Sequence, residues 1–527
     1  MAQAGPVRSE HTLHIAATLP NYMAPARYVA LTDLPLSGSG KIDRKALPAP
    51  SAMSSGEPAR AGLESEIAAI WCALLKLDQV SREDDFFRLG GNSILAMHMH
   101  ARVRAETGLE FAMPAFYRTP TIAGLTANDR ADDIDRAVAD AAAPLAVIDA
   151  ALPAWRERDA SAIDSVILTG ASGFVGIHLL DELSRRVAKV FCLQRAASPA
   201  DGLARIAEEA RAAGLAIDFS RVEVISSDLS HAGLGLAAAD RQRLAEEGDA
   251  ILHCGALVHH LHGYGSLKAA NVGATEALLR LALSVRKKPV CFVSTMSVPM
   301  MLKDAQRVEE RIDAARPLSD NGYLLSKWVS EQRVAAYSRA YGLPATVARV
   351  GNVTGHSESG FSNNEHNHFW LFNQGCVQLG AYPATGQTVE MTPVDVLARA
   401  LCALALHPRE GLSVANLQNP ESMGQQEWFE ALGRSGLSAR PEAPDAWKQR
   451  FATIDSANGL ALLRDFYTGD LTWHDMPVEQ IGTISRLASA DVSLSVDYSR
   501  LIGVYLRYLR AEGFFAIDTR GAEAAHS

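Results

Sequence analysis

From Ile163 onward the chain sets short apolar runs between longer helical ones: "SVILTG", "KVFCLQRA", "RVEVISSD", "DAILHCGA", "PVCFVSTMS" and "ATVARVGNVTG". Strands alternating with helices bury both faces of a sheet only when the strands run parallel and the helices cover them, so the pattern predicts a doubly wound α/β fold. Directly behind the first run stands "TGASGFVGIHLLDELSRR", with Gly170, Gly173 and Gly176 spaced G-x-x-G-x-x-G ahead of a helical stretch. Glycines there let the backbone turn tightly and approach a pyrophosphate, whose charge a helix N-terminus favours. Glycine triplets also mark ordinary loops; the position between a strand and a helix is what points to a dinucleotide.

The second strand ends in "FCLQRAAS", so Arg195 stands about 20 residues on, where an NAD enzyme usually keeps an acid for the ribose. An arginine there suits a 2′-phosphate and therefore NADPH. Arg205 is either a second cation for that phosphate or a solvated helix residue. Asp228, closing the third strand in "SSDLS", fits a bond to the adenine amine or the start of a turn.

A tyrosine protonates a carbonyl oxygen more readily when a lysine cation lies beside it, and Y-x-x-x-K puts the two on one helix face. The pattern occurs as Tyr264 with Lys268 and as Tyr323 with Lys327. Tyr264 sits between glycines in "HGYGSLK", a poor helix interior, whereas Tyr323 opens a long helical run after the fifth strand. Thr295, at that strand's end, supplies a hydroxyl for the same oxygen. Thr295, Tyr323 and Lys327 are therefore the candidate catalytic trio, the alternative being an ordinary helix tyrosine and a solvated lysine.

The 527 residues suffice for two to four domains, and a net charge of −10 argues against binding nucleic acid by neutralising phosphates. Six scattered cysteines suggest neither a disulfide framework nor a zinc site, and no apolar stretch is long enough to cross a membrane; a reducing, cytoplasmic setting is expected. His366 and His368 lack a ligand partner at metal spacing and read as loop histidines. Texture changes divide the chain into residues 1–52, a helical block over 60–130, a charged, alanine-rich run over 131–162 that reads as a partly helical linker or else an exposed helix, and the α/β body over 163–527. The helical block holds "DDFFRLGGNSILAM", in which Ser93 follows a double glycine. That serine is either a helix cap or a hydroxyl held out for attachment.

These stretches carry specific resemblances. The glycine turn, the Thr295 strand end, Tyr323-x-x-x-Lys327 and "ARVGNVTG" resemble the extended short-chain dehydrogenase/reductase superfamily. "VFCLQRA", "HCGALVHH", "NVGATEALLRLA", "GCVQLGAYP" and "TPVDVLARAL" resemble, more narrowly, the thioester reductase domain that ends some nonribosomal peptide synthetases. The Ser93 block is similar to the peptidyl carrier signature, although Asn92 stands where aspartate or histidine is more usual. Residues 1–52, with Lys41 matching a mobile lysine, resemble the tail of an adenylation domain. The resemblance implies a Rossmann-type sheet with a smaller helical substrate subdomain, preceded by an all-α carrier four-helix bundle. It implies catalytic roles for Thr295, Tyr323, Lys327 and Asn271, a substrate-side place for Asn352, and 4′-phosphopantetheine on Ser93. The expected activity is NADPH-dependent release of a carrier-bound peptidyl or aminoacyl thioester as an aldehyde, or as an alcohol after a second reduction. Expected partners are a phosphopantetheinyl transferase and upstream synthetase domains. Two rivals are redox-independent release by Dieckmann-type cyclisation, which Tyr323 counts against, and a non-catalytic carrier or scaffold module.

Overall fold

The computed structural model describes residues 57–60, 63–126 with short gaps at 78, 88, 92, 108, 110, 112, 114–115 and 117–118, then 131–148, 152, 163–258, 263–364, 367–452, 454 and 476–515. The adenylation-like tail with Lys41 lies outside these residues. The chain divides after Asp129 into two units.

The first unit is helical, with α1 (Leu63–Leu75), α2 (Ser93–Thr107) and α3 (Ile122–Thr126). In α1 the spacing of Ile67, Ile70 and Trp71 puts one apolar stripe inward. Trp71 meets Phe86 edge-on at 4.9 Å between ring centroids, and Phe116 closes on both rings. Such contacts add to the area that the rings bury. Arg82 bonds both carboxylate oxygens of Glu64 at 2.9 Å, tying α1 to the loop that leads to Ser93. The double glycine is required there: Gly90 has φ +104°, and a Cβ on Gly91 would lie 2.3 Å from the Phe86 ring. This turn ends at the first residues of α2, which Ser93 opens.

The second unit is built on seven parallel strands: β1 (Ser165–Thr169), β2 (Lys189–Gln194), β3 (Val222–Ser226), β4 (Ala250–His253), β5 (Val290–Thr295), β6 (Ala345–Val350) and β7 (Leu412–Leu417). Their order is β3-β2-β1-β4-β5-β6-β7. The six runs marked in the sequence are all strands. The seventh, "LSVANL", is no continuous apolar run because serine and asparagine interrupt it; pairing with β6 makes it a strand. The chain winds outward from β1 to β3 and returns to β4 beside β1, so a crevice opens at the carboxyl ends of β1 and β4, the usual ligand position in such sheets. One apolar layer, including Leu180, Leu183 and Leu401, covers one face, and another, including Phe191, Leu278 and Val334, covers the other. A separate core with Trp370, Trp428, Trp447 and Tyr505 builds the C-terminal subdomain.

The run over 131–162 is partly helical, and its helix packs on the second unit's own helices. Its residues Ala131–Ala141 form helix α4, and Ala137 is buried with Leu325, Trp328 and Val329 of the second unit. Alanine and charge alone suggest solvent exposure; burial depends on partners almost 200 residues away.

Candidate active site

Gly170 leaves β1 with φ +78°, and a Cβ there would lie 2.8 Å from the backbone of Gly255, just past β4. The two strand ends thus approach with no side chain between them. Gly173 precedes α5 (Phe174–Arg186), and its N–H donates to the Gly170 carbonyl at 2.9 Å. A Cβ on Gly176 would fall 1.8 Å from that same carbonyl oxygen. Backbone stands where a side chain would otherwise be, which is the cradle a dinucleotide pyrophosphate needs at a helix N-terminus. Gly176→Val should open the turn, costing about 1–3 kcal/mol of stability and abolishing dinucleotide binding, as read by thermal unfolding and NADPH fluorescence titration.

Arg195 follows β2 and is exposed, and Arg205 donates to its carbonyl at 3.1 Å, so the two arginines are brought together. Asp228 takes the turn-initiating role: its Oδ1 accepts from Ser230 N at 2.8 Å and from Ser230 Oγ at 2.6 Å. Those bonds hold its carboxyl below the usual range, leaving Oδ2, near His231, as the oxygen for any adenine contact.

Tyr323 and Lys327 lie one turn apart on α7, which comes after the short helix α6 (Tyr264–Lys268) and spans Gly322–Tyr341. Asn321 caps α7 by accepting from Leu324 N. Further along, Glu331 pairs with Arg349 of β6 at 2.6 Å, both 1 % exposed, and accepts from Ser294 of β5 at 2.6 Å, which fixes the helix against the sheet. Lys327 Nζ donates to the Val293 carbonyl at 2.8 Å, two residues before Thr295, and lies 4.8 Å from the Phe292 ring centroid. Thr295 Oγ1 accepts from Ser297 N at 3.3 Å. Asn271, in a π-helical turn over Ala269–Gly273, donates to Ser326 Oγ at 2.9 Å, and Ser326 Oγ donates to the Tyr323 carbonyl at 2.7 Å. Asn271 also accepts from Leu257 N and donates to Leu257 O, holding the loop after β4. The four predicted residues therefore converge at the carboxyl edge of the sheet.

Burial pushes the Lys327 ammonium down to about 8, with Cys254 and Glu331 pulling it back, and burial raises the Tyr323 hydroxyl, with Cys254 adding to the rise. Desolvation of the phenolate is the larger cause of the tyrosine shift. A raised value keeps the phenol protonated, the form a proton donor needs.

Three residues at this edge went unmarked in the sequence. Cys254 follows β4 and perturbs both Tyr323 and Lys327. His253 bridges Thr169 Oγ1 at 2.8 Å and Thr275 Oγ1 at 3.1 Å, joining the glycine-turn strand to the Asn271 turn; burial, then Lys327, pushes its pKa down to about 3, so it is neutral. Glu390 accepts from Asn352 N at 2.5 Å and from Thr392 Oγ1, and burial pushes it up to about 7. Asn352 donates its side chain to Glu390 O at 3.1 Å, so that group braces the strand end. A buried His or Glu carries no spacing signal of its own. His366 lies outside the described residues, His368 opens helix His368–Leu379, and no metal-binding cluster occurs among the described residues.

The male sterility protein family, a dinucleotide-binding family, matches residues 168–401, and the phosphopantetheine attachment site family matches residues 65–128. The crystal structure of the terminal R domain from the myxalamid PKS-NRPS pathway is 32 % identical, with TM-score 0.66, over 73 % of this chain and 99 % of that one. The chain belongs to the terminal reductase family of nonribosomal peptide synthetases.

Its carrier match, residues 65–128, falls in the first unit, and its reductase match, residues 168–401, in the second, which is of the extended short-chain dehydrogenase/reductase type. A linear gramicidin synthase of Brevibacillus parabrevis is 32 % identical over 82 % of this chain. The L-2-aminoadipate reductase of Penicillium chrysogenum, in its large subunit, is 28 % identical over 98 % of it. The chain spans only 9 % and 41 % of the length of these two relatives. A nicotinamide dinucleotide and phosphopantetheine are the groups that such a carrier and reductase hold. No helix of the described residues is long and apolar enough to cross a membrane.

Proposed function

We propose that the chain releases a peptidyl or aminoacyl thioester, delivered on a phosphopantetheine arm at Ser93, by NADPH-dependent reduction to an aldehyde. The observation that carries this is the Lys327 bond to Val293 O, which seats the Tyr323 helix beside the Thr295 strand end, at the edge where the glycine turn lies. Gly170, Gly173 and Gly176 would hold the pyrophosphate and Arg195 the 2′-phosphate. Bound NADPH supplies the hydride, and the arm supplies the thioester sulfur.

Tyr323 gives its phenolic proton to the carbonyl oxygen as the carbon is reduced, and Thr295, whose oxygen already accepts from Ser297 N, donates its hydroxyl proton to orient that oxygen. Asn271 fixes the loop after β4 and, through Ser326, the first turn of α7. Lys327 in its ammonium form stabilises negative charge developing on the tyrosine. Leu257 and Val258, 44 % and 55 % exposed beside Asn271, offer an apolar wall to the acyl group. The reduced carbon, then a hemithioacetal, loses the arm's thiol, its hydroxyl proton passing to the sulfur, and leaves an aldehyde; a second NADPH would supply the hydride that turns this aldehyde into an alcohol.

The ammonium of Lys327 is the charged form below its pKa, so kcat/KM should fall as pH rises through about 8. A pH profile measures this, and Lys327→Arg should move the limb to higher pH. Removing a charge-assisted bond costs about 1.5–3 kcal/mol, so Arg195→Ala should weaken NADPH binding roughly ten- to hundredfold and leave NADH binding unchanged by titration. A phosphopantetheinyl transferase and upstream synthetase domains are the partners this function requires. The deciding experiment follows NADPH absorbance with an acyl thioester loaded on Ser93 and the product by mass. Oxidation with aldehyde or alcohol formation is expected; release that needs no NADPH would establish cyclisation instead.

A further inference from the structure

The second Y-x-x-x-K pair is engaged away from the Tyr323 site. Tyr264 OH donates to Asp140 Oδ2 at 2.7 Å, and Lys268 Nζ donates to Asp140 Oδ1 at 2.8 Å, so one carboxylate of α4 is gripped by two residues on a single face of α6. Two turns earlier, Asp133 accepts from Tyr264 N at 2.6 Å; Asp133 and Tyr264 are both 1 % exposed. Ile134, Ala137, Val138 and Ala141 pack on Leu325, Trp328 and Val329 of α7. Beyond α4, Arg333 of α7 donates to the carbonyls of Ala143 and Pro144, and Tyr341 OH donates to Ala146 O at 2.6 Å.

We propose that Tyr264 and Lys268 are the anchor of the carrier's tether: they hold α4 on the reductase beside the helix that bears Tyr323 and Lys327. The proposal rests on the carrier-delivered reduction argued above. Release of α4, with residues 143–146 still held by Arg333 and Tyr341, adds residues 131–142, twelve positions, to the chain between the carrier and the reductase. Effective concentration falls with tether length once the tether exceeds the span, so the longer tether lowers delivery several-fold. The pair thus sets how often the loaded arm meets the site, and leaves the chemistry of the site alone.

Asp140→Ala removes the acceptor of both residues, and Lys268→Met, at a half-exposed position, is a milder variant that does not threaten folding. Three quantities are compared with wild type: reduction of a thioester loaded on Ser93, reduction of a free pantetheine thioester in solution, and hydrogen exchange over residues 131–141. The expected result is faster exchange, a several-fold slower reduction of the loaded thioester for Asp140→Ala, and an unchanged rate on the free thioester. Faster exchange with both rates unchanged would overturn the proposal. Equal loss on both substrates would also overturn it, since α4 would then be a brace for α7. A wild-type chain that reduces neither substrate would instead overturn the proposed function, and the tether with it.

Discussion

Tyr323→Phe is expected to slow thioester reduction by roughly 10²- to 10⁴-fold, the range for loss of a positioned proton donor, while NADPH binding stays within about twofold. The substitution removes one oxygen. Phenylalanine fills the same space, and the helix keeps its placement: Lys327 still reaches Val293 O, Glu331 still pairs with Arg349, and Ser326 bonds the backbone carbonyl of residue 323 rather than its side chain. What disappears is the proton for the carbonyl oxygen, which then must come from water or from Thr295. Burial keeps the Tyr323 hydroxyl protonated in the resting site. The loss should therefore persist across the pH range in which Lys327 is charged. Single-turnover NADPH oxidation with a loaded carrier gives the rate, and fluorescence titration gives the affinity. A variant that retained wild-type rate would remove Tyr323 from the mechanism and leave Thr295 as the donor.

Ser93→Ala should abolish attachment of phosphopantetheine and with it all turnover of carrier-delivered thioester, while the rate on a free pantetheine thioester remains that of wild type. The carrier should stay folded, because its core is held by Trp71, Phe86 and Phe116 and by the Glu64 pairing with Arg82. Replacing a serine at a helix start costs about 1 kcal/mol, too little to unfold a unit with that core. Intact-protein mass after incubation with a phosphopantetheinyl transferase and coenzyme A reads attachment directly. If the alanine variant still gained the arm, the attachment residue would lie elsewhere in the carrier. If free thioester turnover fell as well, the two units would be coupled by more than delivery.

The two predictions depend on features that differ in how far they reach along the chain. The glycine turn, six of the seven strands and the serine after the double glycine are local: each needs a fixed order of residues within some twenty positions, and a backbone requirement such as the φ of +78° at Gly170 leaves a mark in residue type. The difference between Tyr323 and Tyr264 is also local, since the glycines beside Tyr264 argue against a long helix. The use of Tyr264 and Lys268 to grip Asp140 was hidden, because the partners are 124 and 128 positions apart and every residue involved is an ordinary helix residue. The same holds for α4, whose alanines and acids read as an exposed linker until α7 supplies the apolar surface they cover.

Sequence by itself marked six of the seven strands, a glycine turn suited to a dinucleotide, the candidate attachment serine and the one-turn spacing of Tyr323 and Lys327, because backbone geometry and helix periodicity operate over short separations. Tertiary structure alone decided the seventh strand, the neutral His253 bridge, the docking of α4 and the direction in which the Tyr323 and Lys327 protons are held. Strand pairing, desolvation and the choice of hydrogen-bond partner are sums over neighbours that the fold gathers from distant parts of the chain, and no window of sequence contains them.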